Sequence, residues 1–286
     1  MVSNLTVITP ITKMAGRLNL LESWVLNALC LGIKVVLIHD FREESTQNEL
    51  EQLVNRYGTE ELVLISGSFG SPGAARNAGM KNLNSEWVCF WDSDDLPNVS
   101  KVLLEINSCD PSTDVIIGQY SIVDKSGKFD PFWSSTTCNF EDFALNPGLW
   151  RILIRTKLVE AISFPSLRMG EDQVFLSRLN IEVLKVKFCS QVFYNYYIGE
   201  PSQLTNNWEA IADLNVAIQE LCNSTKLKSS EYYCVNSIML TRMCVTAIVK
   251  GKFNLKVKSI SPLMQALKKL GPRKSWVVLK KISRAG

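Results

Sequence analysis

The first hundred residues alternate between short, continuous apolar runs and longer segments whose apolar positions recur at helical spacing. The apolar runs indicate buried strands, because a strand with one solvated face would alternate polar and apolar residues. We place these strands at residues 5–9, 34–38, 61–65 and 87–91, and helices at residues 17–31, 45–57 and 72–83. The alternation predicts an α/β fold with a mostly parallel central sheet and helices on both faces.

The pattern changes twice in the rest of the chain. Residues 114–198 read as shorter, more β-like segments with one helix at about residues 170–179. Beyond residue 206 the chain reads as helical, at about residues 207–223, 229–250, 260–270 and 274–283. We therefore predict an α/β domain over residues 1–205 and a C-terminal helical extension over residues 206–286. Pro10 is expected to end the first strand.

Cysteine and histidine usage limits the chemistry. The eight cysteines are scattered and form no CxxC pair, and His39 is the single histidine, so we expect no zinc site. Such cysteines are typical of small buried side chains in a reducing compartment. No basic segment followed by a long apolar stretch begins the chain, and no run reaches the roughly 18 apolar residues of a membrane span. We expect a cytoplasmic protein, or a peripheral one on the cytoplasmic face of a membrane.

The net charge of +3 hides an asymmetry along the chain. Residues 232–286 contain twelve lysines and arginines and no acidic residue, which leaves 31 − 12 = 19 basic against 28 acidic residues before them. A basic segment of this kind favours a polyanionic surface, with anionic lipid preferred to nucleic acid because aromatic residues for base stacking are few.

Polar side chains stand where four predicted strands end. They are Thr9, Asp40, Ser66 and Asp92. In a parallel sheet the carboxyl ends of the strands share one edge, and ligands bind there. The four side chains together predict a binding site better than any one of them does.

The segment Asp92-Ser93-Asp94 follows the fourth strand directly. On an extended chain residues i and i+2 point the same way, so both carboxylates could face one ligand. Mg²⁺ or Mn²⁺ needs only one or two carboxylates when substrate phosphates and water complete the shell. The alternative is an acidic loop that caps the next helix.

Two further segments carry candidate chemistry. Residues 71–79 combine small residues with Arg76 at a predicted helix start. Such a segment could bind a phosphate group. The alternative is a tightly packed helix with a solvated arginine. Glu171 and Asp172 follow Gly170 at another helix start. They could simply favour the helix dipole, or supply a general base that takes a hydroxyl proton.

Taken in order, these motifs resemble glycosyltransferase family 2. The matching segments are Thr9-Pro10, Asp40, Gly73-Ala74-Ala75-Arg76-Asn77-Ala78-Gly79, Asp92-Ser93-Asp94-Asp95 and Gly170-Glu171-Asp172. The resemblance covers about residues 4–205 and implies the GT-A fold and transfer of a sugar from a nucleotide-sugar donor. The chain resembles the bacterial enzymes that build capsule, O-antigen or related surface polysaccharides.

The resemblance also implies roles for individual residues. Nucleotide-sugar binding would fall to Thr9, Pro10, Asp40, Arg76, Asn77, Asp92 and Ser93. Asp94, with Asp92, would hold Mn²⁺ or Mg²⁺, while Asp172 would be the base of an inverting displacement and Glu171 would support it or contact the acceptor. The donor would be a UDP-sugar and the acceptor a glycan or lipid-linked hydroxyl. The alternatives are a nucleotidyltransferase, or a non-catalytic transferase-like scaffold at the membrane.

The C-terminal extension lies outside the resemblance. Apolar residues such as Leu263, Leu267 and Trp276 stand beside lysines at helical spacing. Basic amphipathic helices with tryptophan are typical of membrane surfaces. We predict contact of residues 232–286 with an anionic membrane, with a homodimer interface as the alternative and no nucleic-acid partner.

Overall fold

The structure, a computed structural model, describes residues 4–14, 16–41, 44–123, 129–130, 139–197, 208–227 and 234–285. The predicted domain boundary at residues 205 and 206 lies outside them and stays a prediction. The chain forms two compact units. The first consists of Met1–Thr136, Gly148–Ser166 and Lys185–Glu200, and the second of Thr137–Pro147, Leu167–Leu184 and Pro201–Gly286.

In the part that the structure describes, the first unit contains the β-sheet and four α-helices. Its strands are β1 (Leu5–Ile11), β2 (Lys34–Asp40), β3 (Leu62–Gly67), β4 (Trp87–Phe90), β5 (Leu96–Pro97), β6 (Val115–Val123), β7 (Phe129–Asp130), β8 (Ile152–Arg155) and β9 (Val186–Tyr197). Its helices are α1 (Leu18–Cys30), α2 (Glu44–Tyr57), α3 (Pro72–Met80) and α4 (Val99–Ser108).

The strands are ordered β3-β2-β1-β4-β8-β6-β9-β5, with β7 paired to β6. The four strands predicted from the apolar runs, β1 to β4, pair in parallel. The later strands add a mixed region, in which β8 runs antiparallel to β4 and β6, and β9 runs parallel to β6. The predicted α/β class is confirmed.

Helices cover both faces of the parallel strands. On one face Val7 and Val35 join a buried cluster with Leu21 and Trp24 of α1. On the other face α3 lies so close that a Cβ added at Gly79 would stand 2.6 Å from Ile8 Cγ2. Strands buried on both faces read as near-continuous apolar runs, which is why their sequence shows no regular alternation.

The prediction that Pro10 ends β1 is wrong. The strand continues to Ile11, and Pro10 pairs with Ile38 of β2. On its other side β1 pairs with β4 only as far as Ile8, opposite Phe90. Beyond that point β1 has a single neighbour, so a residue without an N–H breaks no ladder on the open side.

The second unit is helical in the part that the structure describes. Its helices are α5 (Phe140–Leu145), α6 (Glu171–Leu179), α7 (Trp208–Leu227), α8 (Cys234–Lys250) and α9 (Phe253–Ala285). The last helix joins the two segments predicted at residues 260–270 and 274–283. It is interrupted at Gly271, whose φ of 74° and ψ of 166° are not helical.

Two predictions from composition concern the whole chain. Among the described residues, no helix is both long and apolar enough to cross a bilayer. The seven cysteines in the described ranges are free thiols. Cys89, Cys189, Cys222 and Cys244 are buried as expected, whereas Cys109 and Cys234 are half-buried and Cys30 is exposed. Cys138 lies outside those ranges.

Candidate active site

The carboxyl ends of β1, β2, β3 and β4 bring the predicted polar residues to one edge of the sheet. Thr9 lies in the last part of β1, Asp40 ends β2, and Asp92 follows β4 after one residue. Ser66 of β3 pairs with the residue before Asp40. Because these strands are parallel, the predicted convergence at the strand ends is confirmed.

Asp40 organises the loop that follows β3. Its side-chain oxygen Oδ1 accepts hydrogen bonds from the backbone N–H groups of Phe69 (2.8 Å) and Gly70 (3.2 Å). The residue is buried. A carboxylate that binds two backbone donors fixes the loop between β3 and α3, so Asp40 shapes this corner of the site whatever it contacts in a ligand.

Thr9 and His39 each place a polar atom in the protein interior. Thr9 Oγ1 and His39 Nε2 have no hydrogen-bond partner among the described residues. The other ring nitrogen of His39 lies 2.6 Å from Gln47 Oε1, which also accepts a hydrogen bond from the hydroxyl of Ser66. Unsatisfied buried polar atoms are rare in proteins, so their presence near the strand ends is consistent with a binding site.

Helix α3 is fixed tightly against the first unit. Ser71 caps it by accepting the N–H of Ala74, and both ends of the Asn77 amide bind the backbone of Phe164. A Cβ added at Gly73 would stand 2.2 Å from the carbonyl oxygen of Pro165. The small residues of this segment therefore serve packing within the chain, and the predicted contact of Asn77 with a nucleotide stays a prediction.

Arg76 of α3 reaches the end of β4. Its Nη2 lies 3.0 Å from Asp92 Oδ1, and its guanidinium stands 5.6 Å from the ring centroid of Phe164. The arginine side chain is 8% exposed, whereas that of Asp92 is 31% exposed. A buried cation thus orients a carboxylate that still faces solvent.

Asp94 is held in a similar way by a different arginine. Arg17 Nη1 lies 2.9 Å from Asp94 Oδ2, and the two side chains are 23% and 32% exposed. Arg17 occupies the N-cap position of α1. This pair was not predicted, because the two residues are 77 positions apart and neither their spacing nor the helical periodicity links them. Ser93, between the two aspartates, is half-buried.

Asp95 differs from the two aspartates before it, because it is buried and binds protein. Its Oδ1 accepts the backbone N–H of Tyr197 at 2.7 Å. Burial, followed by the nearby carboxylates of Asp94 and Asp92, raises the pKa of Asp95 well above the usual aspartate range. The hydroxyl of Tyr194 in turn accepts the backbone N–H of Asp92 at 3.0 Å. Strand β9 thus anchors both ends of residues 92–95, which we call the acidic loop.

Glu171 and Asp172 belong to the second unit, where they begin α6. Gly170 precedes them with a φ of 87°, and a Cβ there would stand 2.7 Å from the Cβ of Ala217 in α7. Both its conformation and its surroundings require glycine. Glu171 is buried and Asp172 is half-buried, with its Oδ1 accepting the N–H of Gln173 at 2.9 Å.

Asp213 and Glu209 of α7 bind Arg168, which lies just before the start of α6. Arg168 binds both side-chain oxygens of Asp213 at 2.9 and 3.1 Å, and it also contacts Glu209. The backbone N–H of Arg168 donates to Asp213 as well. The hydrogen bonds from Arg168 lower the pKa of Asp213. The contacts between Arg168 and Asp213 were not predicted from sequence, because no local pattern links residues 45 positions apart.

A family model matches part of the chain, and two known transferases are similar to it in sequence. The model described as "Glycosyl transferase family 2" matches residues 17–158. Poly(ribitol-phosphate) beta-glucosyltransferase of Bacillus spizizenii is 23% identical over 58% of this chain, and glycosyltransferase GlyA of Streptococcus pneumoniae is 22% identical over 71%. The matches span only 27% and 32% of the length of those two relatives.

Solved structures show the same fold. S. aureus TarS 1–349 in complex with UDP-GlcNAc superposes with a TM-score of 0.65 at 18% identity, over 98% of this chain and 88% of that one. Mannosyltransferase PcManGT from Pyrobaculum calidifontis, in complex with GDP-Man and Mn²⁺, gives 0.57 at 12% identity, over 99% and 86%. The predicted GT-A fold is confirmed. The chain carries a glycosyl transferase family 2 domain, which the family model matches at residues 17–158.

Proposed function

We propose that this chain is an inverting, metal-dependent glycosyltransferase that moves a hexosyl group from a nucleotide-diphosphate donor to an acceptor hydroxyl. One observation carries the proposal. At the carboxyl end of β4, Asp92 and Asp94 are each oriented by an arginine, Arg76 at 3.0 Å and Arg17 at 2.9 Å. Carboxylates and guanidinium groups at a strand end suit a cation and a diphosphate together.

Side chains of several chemical types at the carboxyl edge of the sheet would contact the nucleotide-sugar donor. The unpartnered hydroxyl of Thr9 and the neighbouring Pro10 would line the nucleoside pocket, with Asp40 holding the loop beside it. Asp92 would contact the ribose. Arg76, Asn77 and Ser93 complete the predicted set. A UDP-sugar is the first choice of donor, supported by the UDP-GlcNAc that S. aureus TarS binds.

The residues present fit a divalent cation that is shared with the substrate. No cluster of three or more histidine, cysteine, aspartate or glutamate residues in the described ranges could hold a metal by itself. Asp94 and Asp92 supply hard oxygen ligands that are partly exposed, and diphosphate oxygens and water would complete the shell of Mn²⁺ or Mg²⁺. When bound, the ion would act as a Lewis acid on the leaving diphosphate.

Asp172 would serve as the base. As the acceptor oxygen bonds to the anomeric carbon, the bond from that carbon to the diphosphate breaks and Asp172 takes the hydroxyl proton. Attack from the face opposite the leaving group inverts the anomeric centre. Glu171, buried beside it, would hold the start of α6 or contact the acceptor.

The acceptor would be a glycan or a lipid-linked hydroxyl in bacterial surface-polysaccharide synthesis. This setting is supported by the similarity to a poly(ribitol-phosphate) glucosyltransferase. The basic residues at 232–286 would bring the enzyme to the cytoplasmic face of an anionic membrane, where such acceptors could be reached.

Thermal unfolding with nucleotides tests the donor site first. We expect UDP together with Mn²⁺ to raise the unfolding temperature, because a ligand at a hundred times its Kd adds about 2.7 kcal/mol to the native state. GDP, CDP and dTDP, each with and without Mn²⁺, are the comparisons. A metal-dependent rise with a nucleotide other than UDP would correct the donor class. No rise with any of them would favour the transferase-like scaffold.

The hydroxyl of Tyr194 is expected to position the acidic loop. Tyr194→Phe removes the acceptor of the Asp92 N–H, so we expect a loss of about 1–2 kcal/mol in the free energy of unfolding. The same change should weaken Mn²⁺-dependent UDP binding, because Asp92 and Asp94 lose a fixed backbone. Denaturant unfolding and a UDP titration with Mn²⁺ measure the two effects.

Tyr120→Phe is a matched control for that substitution. Tyr120 pairs with Tyr194 across β6 and β9 and is also buried. Its ring meets Trp150 edge-on, but it does not contact the acidic loop through any hydrogen bond described here. UDP affinity should therefore stay unchanged in Tyr120→Phe, and an equal loss in both variants would contradict a specific role for Tyr194.

A further inference from the structure

Helix α9 carries a row of exposed apolar side chains that we call the apolar stripe. It consists of Phe253, Val257, Ile260 and Met264, which are 77%, 51%, 53% and 62% exposed. Their spacing of four, three and four residues places them on one face of the helix, since each residue advances by about 100°. Four large apolar side chains aligned in water call for a partner, whereas scattered ones do not.

The stripe is not the face by which α9 packs on the protein. Leu255, Ser259 and Ala266 are buried. By the same helical rotation they lie on the side of α9 opposite the stripe. Leu263 and Leu267, the apolar residues that the sequence places beside lysines, are half-buried. The helix therefore has two apolar faces, and only one of them is covered.

Positive charge borders the stripe on both sides. The helical rotation places Lys256 along one edge and Lys268 along the other, and both are exposed. Residues 232–286 contain no carboxylate side chain at all. Lys274 and Lys281 are already paired, with Glu141 and Asp142. No ion pair engages Lys256 or Lys268 within the described part of the chain.

We propose that the apolar stripe docks on the surface of an anionic lipid bilayer. The inference rests on the membrane contact in the proposed function and assigns that contact to one helix face. Phe253, Val257, Ile260 and Met264 would enter the boundary between headgroups and acyl chains, while Lys256 and Lys268 meet anionic headgroups. Trp276, 64% exposed with the Lys280 ammonium 4.7 Å from its ring centroid, offers a second interfacial group.

Charge and polarity favour a bilayer over two other partners. A second copy of the chain, paired stripe to stripe, would bring Lys256 and Lys268 of both copies together and repel itself. A soluble polyanion would satisfy the lysines but leave the four apolar side chains in water. A bilayer with anionic headgroups satisfies both features.

Vesicle flotation with the full chain tests the assignment. We expect the parent protein to float with vesicles of phosphatidylcholine and phosphatidylglycerol and much less with phosphatidylcholine alone. Phe253→Ser combined with Ile260→Ser should lower the partition coefficient on anionic vesicles by about tenfold or more, because two apolar side chains no longer enter the interface. Lys256→Glu combined with Lys268→Glu should give a similar loss, and high salt should mimic it.

Leu104→Ser combined with Val216→Ser is the matched control. These side chains are 61% and 44% exposed, on α4 and α7, outside the stripe. The control should float like the parent. Thermal unfolding confirms that each variant is folded, and UDP with Mn²⁺ should stabilise all of them alike, so a failed donor site would be seen separately.

Four outcomes would overturn the inference. Parent-like flotation of the Phe253→Ser, Ile260→Ser variant would move membrane contact to another surface. No flotation of the parent on anionic vesicles would remove membrane contact altogether. A concentration-dependent dimer that the Phe253→Ser, Ile260→Ser variant abolishes would assign the face to a second copy of the chain. Flotation that inorganic polyphosphate competes away, while that variant behaves like the parent, would indicate a soluble polyanion as the partner.

Discussion

Replacing Asp94 by asparagine is expected to abolish the Mn²⁺-dependent part of the stabilisation by UDP. Asp94 offers a partly exposed carboxylate at the end of β4, and asparagine keeps its shape but removes the charge that a divalent cation requires. We expect sugar transfer to fall by roughly 10²-fold or more, since a metal ion contributes several kcal/mol to stabilising the leaving group. Thermal unfolding with UDP, with and without Mn²⁺, and a transfer assay measure the two effects.

The fold itself should tolerate this substitution. Arg17 loses an ion pair in which both side chains are partly solvated, and such pairs contribute about 0–1 kcal/mol. Asp110→Asn is a suitable control, because Asp110 lies outside the acidic loop and binds Ser112 in an exposed turn. If Asp94→Asn bound UDP and Mn²⁺ like the parent, the cation would have to be held elsewhere or be dispensable.

The two arginines hold their aspartates differently, and Arg17 is the one that contacts Asp94. Its guanidinium donates a hydrogen bond to one oxygen of Asp94, so a cation bound there would share or displace that contact. Arg76 is more deeply buried against Phe164 and keeps Asp92 oriented whether or not a cation is present. The two aspartates are therefore not equivalent, and the more loosely held Asp94 is the better candidate for the metal.

The sequence predicted the parts of the site that follow from local chain geometry. Asp40 ends β2 and Asp92 follows β4, both of which contain a continuous apolar run, and parallel pairing brings such ends together. The helix start at Glu171 was visible from the glycine and the acidic pair before an apolar run. Each of these features depends on residues close in sequence, where hydrophobic periodicity and turn chemistry are informative.

The parts that were not predicted depend on contacts between distant residues. Tyr194 and Tyr197 meet the acidic loop 102 positions away, and Arg168 meets Asp213 across 45. Asp95 resembles its two neighbours in sequence, yet it is buried and anchors the loop. Likewise, the sequence placed apolar residues beside lysines in α9 without showing which side of the helix the protein covers. Only tertiary packing decides these points.

Replacing Asp172 by asparagine is expected to leave donor binding intact and to lower the rate of transfer by about 10²–10⁴-fold, the usual contribution of a general base. Asparagine can still accept the Gln173 N–H, so α6 should begin at the same residue and the fold should persist. It cannot take the proton of the acceptor hydroxyl. Thermal shifts with UDP and Mn²⁺ should match the parent while kcat falls.

Glu220→Gln separates this effect from a general loosening of α6. Glu220 of α7 pairs with Arg178 at the other end of that helix, at 2.6 Å, and both side chains are about one third exposed. Its loss should cost little stability and leave kcat near the parent value. Full transfer activity in Asp172→Asn would exclude Asp172 as the base, and Glu171, adjacent at the start of α6, would then be the next carboxylate to replace. A parallel loss of UDP binding would instead assign Asp172 to the donor, because a base that acts only on the acceptor has no reason to change donor affinity.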